Sequence, residues 1–330
     1  MQIDKSKVKK ILFISLSNIG DIVLTTPAMR VLAENFPDAR MDIMVGPNGV
    51  ELFKKHPAVC KVIMYDKHIL MSDKRRLIKK LRNVKYDLIV DMRNSLFPFL
   101  VGARYRTSPI KVPPKTVIHK KQQHLWKLST IGLDVSDAPF YIHIPQEDDD
   151  YIKRIITGLD RRRPIVAITP GAKSDIKRWP KEKYAELTER LIELLNAQVI
   201  MAGDTADSIL IKDIIVPFKN NIIDLSGRTT LCQLASLLKC CDLLITNDSA
   251  PLHIAGAVGT KVLAIFGPTD PKLYGPTGGK DCIIREKLNC SPCGKAQCQF
   301  KHQCMKSVKV DEVFKAVKEM IGREQSTEYR

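Results

Sequence analysis

The chain has 330 residues, of which 44% are hydrophobic and 27% charged, and it carries a formal net charge of +17. That length supports two domains with separate cores, and the composition is that of a folded globular protein rather than a disordered or fibrous one. No apolar run approaches the ~20 residues of a membrane helix. The early ILFISL run breaks at Ser17-Asn18 without a small-residue cleavage site, so it reads as a buried strand, not a secretory leader.

In chain order, strands are predicted at KILFISL (10–16), MDIMVG (41–46), CKVIMY (60–65) and YDLIVD (86–91). A helical stretch ends near Phe36, and KRRLIKKLRN (74–83) is another helix. The strands are continuous apolar runs rather than alternating ones, which points to a parallel sheet covered on both faces. Around 145–163 the pattern lapses into PQEDDD and GLDRRRP, and the domain boundary is placed there, giving domains 1–157 and 158–330. The alternation then restarts. Strands are predicted at 164–170, 197–203, 221–227, 241–247 and 261–267, and helices at 181–195, 229–240 (capped by Thr229 or Thr230) and 311–321. Two successive doubly wound halves imply an α/β protein of two Rossmann-like domains facing a central cleft.

Three strand ends in the second half carry turns suited to a ligand. NDSAPLHIAGAVG (247–259) follows an apolar run and opens a helix, with Ser249 as a plausible cap, Pro251 in the first turn and His253 near the ligand side. Backbone N–H groups at such a helix start form an anion site, although simple capping accounts for the same residues. TPGAKSDIKRWPKEKY (169–184) brings Lys173, Lys177 and Arg178 to a glycine turn, where they suit phosphate oxygens or stand simply as exposed cations. In MAGDTADSILIKD (201–213), Asp204 and Asp207 suit a ribose hydroxyl or a helix cap. In the first half, SLSNIGDIVLTTPAMR lacks GxGxxG, which argues against a dehydrogenase. Two readings stay open there. A helix starting at Thr26-Pro27 leaves Asp21 unneeded as a cap, whereas one starting at Asp21 must accommodate Pro27.

Four segments in order, SNIGDIVLTTP, GAKSDIKRWP, NDSAPLHIAGAVG and AIFGPTDPKLYGPTG, resemble glycosyltransferase family 9, the lipopolysaccharide heptosyltransferases. The resemblance implies a two-domain GT-B fold with an N-terminal acceptor-binding and a C-terminal donor-binding domain. It also implies inverting transfer of heptose from ADP-heptose to the phosphorylated, lipid A-linked inner core of lipopolysaccharide. By the same resemblance no metal or other cofactor is required. Asp21 matches the general base. Lys177 matches the lysine on the donor diphosphate, and Asp207 the acid that holds the adenosine ribose. Asp248, Ser249, Ala250 and His253 match the loop around the donor diphosphate and sugar. Ser17, Gly20 and Arg93 are acceptor-side or loop candidates. Ala172 and Lys173 stand where some members place hydroxyl residues.

From Lys67 to Lys127 there are sixteen Lys/Arg and three acids, a local net charge of +13. In the acceptor domain this segment is expected to face phosphorylated sugar and the anionic inner-membrane surface of a Gram-negative cell, which makes the protein cytoplasmic and peripherally membrane-associated. Nucleic acid is not an expected partner, because there is no recognition helix and aromatics are only 6%. Late in the chain, Cys290, Cys293, Cys298 and Cys304 have spacing open both to a tetrahedral zinc site and to a plain reduced loop, with no catalytic role in either case. The competing functions are a family member using another donor, such as a UDP-amino sugar, and a GT-B sugar-nucleotide epimerase.

Overall fold

Each predicted apolar run becomes a strand of one of two parallel sheets. The computed structural model describes residues 3–136, 138–218 and 222–325. The chain divides into two units, Met1–Pro145 and Gln146–Arg330.

The first unit runs β1 (Lys10–Ile14), α1 (Ile19–Asn35), β2 (Arg40–Val45), α2 (Val50–Lys54), β3 (Lys61–Met64), α3 (Met71–Val84), β4 (Leu88–Asp91), α4 (Phe97–Val101), β5 (Tyr105–Arg106) and α5 (Lys120–Ser129). Its sheet has the order β3-β2-β1-β4-β5, with every pair parallel. The central strands are buried on both faces, as continuous apolar runs require. Leu12, Ile14, Met44 and Ile89 build one side of the core together with Leu81 of α3 and Phe97 of α4.

The second unit runs α6 (Gln146–Ile155), β6 (Ile165–Thr169), α7 (Lys181–Leu195), β7 (Gln198–Met201), α8 (Ser208–Ile215), β8 (Ile222–Asp224), α9 (Leu231–Lys239), β9 (Leu243–Asn247), α10 (Ala250–Val258), β10 (Lys261–Ile265), α11 (Pro271–Tyr274), β11 (Cys282–Ile284), α12 (Gln303–Lys306) and α13 (Val310–Gln325). The strand expected over 221–227 is Ile222–Asp224; its expected first residue, Asn221, lies outside the described residues. The sheet order is β11-β10-β9-β6-β7-β8. Counted from β6, this is the doubly wound order 3-2-1-4-5-6 of dinucleotide-binding folds. The winding direction reverses between β6 and β9, and in the first unit between β1 and β4. Ligands of such sheets bind outside the carboxyl ends of the strands at those reversals.

One expectation is revised. The boundary expected at 157/158 falls at Pro145/Gln146, because the supposed linker contains α6. Asp148 and Asp149 of α6 accept hydrogen bonds from Gln233 (2.9 Å) and Ser236 (2.7 Å) of α9, which fixes the helix to the second unit. Its acidic start and its Lys153-Arg154 end are the charge order that complements a helix dipole. For the first helix, where two readings were open, the structure takes the one that accommodates Pro27: α1 starts at Ile19 and contains Pro27. The missing proline N–H would have bonded the Val23 carbonyl. The Thr26 hydroxyl donates to that carbonyl instead, at 2.8 Å, so the buried helix keeps its acceptor satisfied.

Candidate functional site

At the β6/β9 reversal the second unit brings two loops together. One leaves β6 at Thr169 and makes a 3-10 turn over Asp175–Lys177. The other leaves β9 at Asn247 and enters α10 with Ser249 as the cap residue. The Lys177 ammonium donates to Asp248 Oδ2 at 2.6 Å, spanning the two loops. Asp248 is 8% exposed, so this pair is shielded far more than a surface ion pair. The Ser249 side chain makes no capping hydrogen bond to α10; its Oγ lies 3.2 Å from Thr246 Oγ1. The start of α10 is therefore closed neither by its cap side chain nor by an acid in its first turn. Ala250 is the first helical residue, and His253 is buried one turn further on.

Asn247, which sequence reasoning treated only as a strand end, ties these loops together. It is fully buried; its Oδ1 accepts from the Trp179 N–H (3.1 Å) and the Tyr184 hydroxyl (3.0 Å), and its Nδ2 donates to the Pro170 carbonyl (2.7 Å). Thr169 and Thr246 join the same two strand ends through their hydroxyls at 2.7 Å. A polar residue closing an apolar run was the available signal.

Asp207 stands at the next strand end. It forms a reciprocal capping box with Asp204, and its carboxylate lies 3.9 Å from an Arg178 Nη. Burial, with the Asp204 charge second, raises its pKa above the ordinary value. A Cβ on Gly171 would come within 2.2 Å of this carboxylate, so only glycine lets the β6 loop approach it. Arg178 also donates to the Ala172 carbonyl at 2.9 Å. A separate cavity of about 310 Å³, lined in part by Arg178, Lys181, His302 and Lys306, includes none of Lys177, Asp248 and His253.

In the first unit, Asp21 sits in the first turn of α1, just past β1. Its Oδ2 accepts from the Asn18 amide at 3.0 Å. Gly20 is in the same turn. Ser17 is packed against the end of β2, where a Cβ on Gly46 would come within 2.7 Å of the Ser17 Cα. Arg93 follows β4, with its guanidinium 5.0 Å from the centre of the Tyr65 ring and its N–H bonded to Asp91 Oδ1 at 2.8 Å. Sequence reasoning missed Lys127 here: its buried ammonium donates to the Asp91 carbonyl (2.8 Å) and to Asn94 Oδ1. Burial lowers its pKa, opposed by the Asp91 charge.

The late cysteines are all free thiols. Burial, with Cys298, Cys290 and Cys293 nearby, raises the pKa of Cys304. Among the described residues no group of three or more His, Cys, Asp or Glu side chains is placed to hold a metal ion. Among them, too, no helix is long and apolar enough to cross a membrane.

Two doubly wound parallel sheets in succession are the architecture of the GT-B fold. The chain belongs to glycosyltransferase family 9 (heptosyltransferase), whose profile matches residues 74–304. That span holds the Lys177 and Asp248 loops but not Asp21. Lipopolysaccharide heptosyltransferase 2 of Escherichia coli (strain K12) is 27% identical over 306 residues, covering 84% of this chain and 88% of that protein. Two solved structures share the fold. The glycosyl transferase family 9 protein of Veillonella parvula DSM 2008 has a TM-score of 0.82 and 21% identity, covering 96% of this chain and 97% of that one. The E. coli ADP-heptose lps heptosyltransferase II has a TM-score of 0.79 and 24% identity, covering 96% and 99%.

Proposed function

We propose that this glycosyltransferase moves heptose from ADP-heptose, with inversion and without a required metal, to the phosphorylated inner core of lipid A-linked lipopolysaccharide. The observation that carries the reading is the Lys177–Asp248 pair at the start of α10. An ammonium has three donors, and Asp248 uses one. The others serve the donor diphosphate, which also meets the N–H groups of Ser249, Ala250 and the helix start. As the glycosidic bond breaks, ADP gains negative charge, and these fixed donors stabilise it without rearranging. His253 and Asp248 border the sugar, and Asp207 with Arg178 borders the adenosine ribose.

Asp21 takes the proton of the acceptor hydroxyl as that oxygen attacks the anomeric carbon. The Asn18 amide keeps one carboxylate oxygen oriented and leaves the other for the proton. Gly20, Ser17 and Arg93 shape the acceptor side, with Arg93 presenting positive charge to a phosphorylated sugar. The reaction belongs at the cytoplasmic face of a Gram-negative inner membrane, toward which the basic segment 67–127 is attracted.

Thermal unfolding in EDTA with ADP, UDP and their sugar conjugates tests the donor. A ligand at 100 times its dissociation constant stabilises the fold by about 2.7 kcal/mol. ADP and ADP-heptose are expected to raise the melting temperature and UDP to leave it unchanged. A shift with UDP alone keeps the family and overturns the donor. A donor consumed without acceptor indicates an epimerase.

A further inference from the structure

We infer that the α4–β5 edge of the first unit is an insertion surface for an anionic phospholipid bilayer, where apolar side chains enter the interface inside a ring of cations. The inference rests on the reading above only in that a lipid-linked acceptor makes such docking useful. The surface itself is argued from this chain.

Helix α4 is short and lies against α3, where the Arg82 Nε donates to the Leu100 carbonyl at 2.5 Å. Its inner face, Phe97 and Val101, is buried in the core. Its outer side is apolar as well: Leu96 just before it is 64% exposed, Phe99 46% and Leu100 39%. Arg106 of the edge strand β5 holds its guanidinium 4.6 Å from the Phe99 ring centre, so charge and ring share one surface. The loop that leaves β5 carries Ile110 and Val112, 83% and 80% exposed, on either side of Lys111. Single exposed apolar residues are ordinary, but here Leu96, Phe99, Leu100, Ile110 and Val112 follow one another along the stretch of chain that forms α4, the edge strand β5 and the loop leaving it.

Charge chooses the partner. From Met92 to Leu133 the chain contains no acid, while Arg104, Arg106, Lys111 and Lys115 are all exposed. A protein partner would need an acidic face with apolar pockets. A nucleic acid would satisfy the cations but leave Leu96, Ile110 and Val112 in water. An anionic bilayer meets both demands: headgroups take the cations, and the acyl boundary takes the apolar side chains. Each Lys or Arg near such a surface is worth ~1 kcal/mol, which is about fivefold in partitioning.

Co-sedimentation of the full chain with phosphatidylcholine vesicles, with and without 30% phosphatidylglycerol, tests the proposal. Anionic vesicles are expected to bind strongly and neutral ones weakly. The double variant Lys111→Ala/Lys115→Ala should weaken binding roughly thirtyfold. Ile110→Ser/Val112→Ser should abolish the binding that survives 0.5 M salt, and Val112→Trp should shift its fluorescence to the blue on vesicles. These side chains project into solvent, so the melting temperatures should stay at the parent value. Turnover of a deacylated, water-soluble acceptor by Ile110→Ser/Val112→Ser should also be unchanged, which separates failure of docking from failure of the proposed reaction. Equal binding to neutral vesicles overturns the inference. So does binding of Ile110→Ser/Val112→Ser at the parent strength in high salt. Tight binding of a DNA duplex that ignores Ile110 and Val112 but needs Lys111 and Lys115 overturns it in favour of nucleic acid.

Discussion

The two sheet reversals are built to opposite plans. At β6/β9 the loops are locked from within: Asn247 makes three buried hydrogen bonds, Thr169 and Thr246 join the strand ends, and Lys177 is held by Asp248. At β1/β4 the proposed base accepts a hydrogen bond from Asn18, three residues away on the same turn. The locked site suits a ligand with fixed charge, because donors that are already positioned need no reorganisation. The lightly held carboxylate suits a group that must change protonation state and follow a moving hydroxyl. One architecture, used twice, thus separates rigidity from reactivity.

The largest expected effect breaks the reactive half alone. Asp21→Asn keeps the size and the local hydrogen bonding but removes the base, so turnover should fall by ~10²–10⁴-fold. ADP affinity, measured by calorimetry, should remain at the parent value. Normal turnover in this variant would end the assignment of Asp21 as base. The next effect falls on the locked half. Asn247→Leu strands the Trp179 N–H, the Tyr184 hydroxyl and the Pro170 carbonyl in a dry interior, and should lower stability by about 3 kcal/mol in urea titration. It should also weaken ADP binding, because the Lys177 loop loses its tie to β9. Retained stability would show that this network is dispensable.

The smallest effect concerns the first unit and acid. His56 is buried beside His143 and Tyr141, its Nδ1 accepts from the Ala58 N–H, and among the described residues its Nε2 has no hydrogen-bond partner. Burial, with the His143 charge second, lowers its pKa from 6.5 to about 4. Between those values the unfolded chain takes up a proton that the folded chain resists. Stability present above pH 6.5 is therefore lost as the pH falls toward 4, by about 1–3 kcal/mol. His56→Phe should flatten that part of the pH–stability profile. An unchanged acid slope would place the sensitivity elsewhere.

The strands were legible in the sequence because a parallel sheet buries both faces and leaves long apolar runs, and the helix over 181–195 falls where its spacing predicts. The reversal-point loops were legible because cap and turn residues follow those runs directly. What escaped had a physical reason. Helix α6 looks like a linker because its apolar content is low, and its fit depends on Asp148 and Asp149 meeting α9, a contact distant in sequence. Lys127 looks like one more surface cation until the fold carries it under the Asp91–Asn94 turn. Asn247 reads as a terminus until three partners from the preceding loop and helix converge on it. Local pattern gives elements, whereas pairings across tens of residues give sites.

Pro27 leaves the seating of Asp21 intact. The proline withdraws one amide from the α1 ladder, and the Thr26 hydroxyl takes up the vacated carbonyl without restoring a main-chain link. Ile22, Val23 and Leu24 before the proline and Met29, Val31 and Leu32 after it are all buried, so both halves of the helix stay embedded in the core. The first turn, Ile19 to Asp21, is half-buried, and the carboxylate stands at the boundary where the packed helix meets solvent.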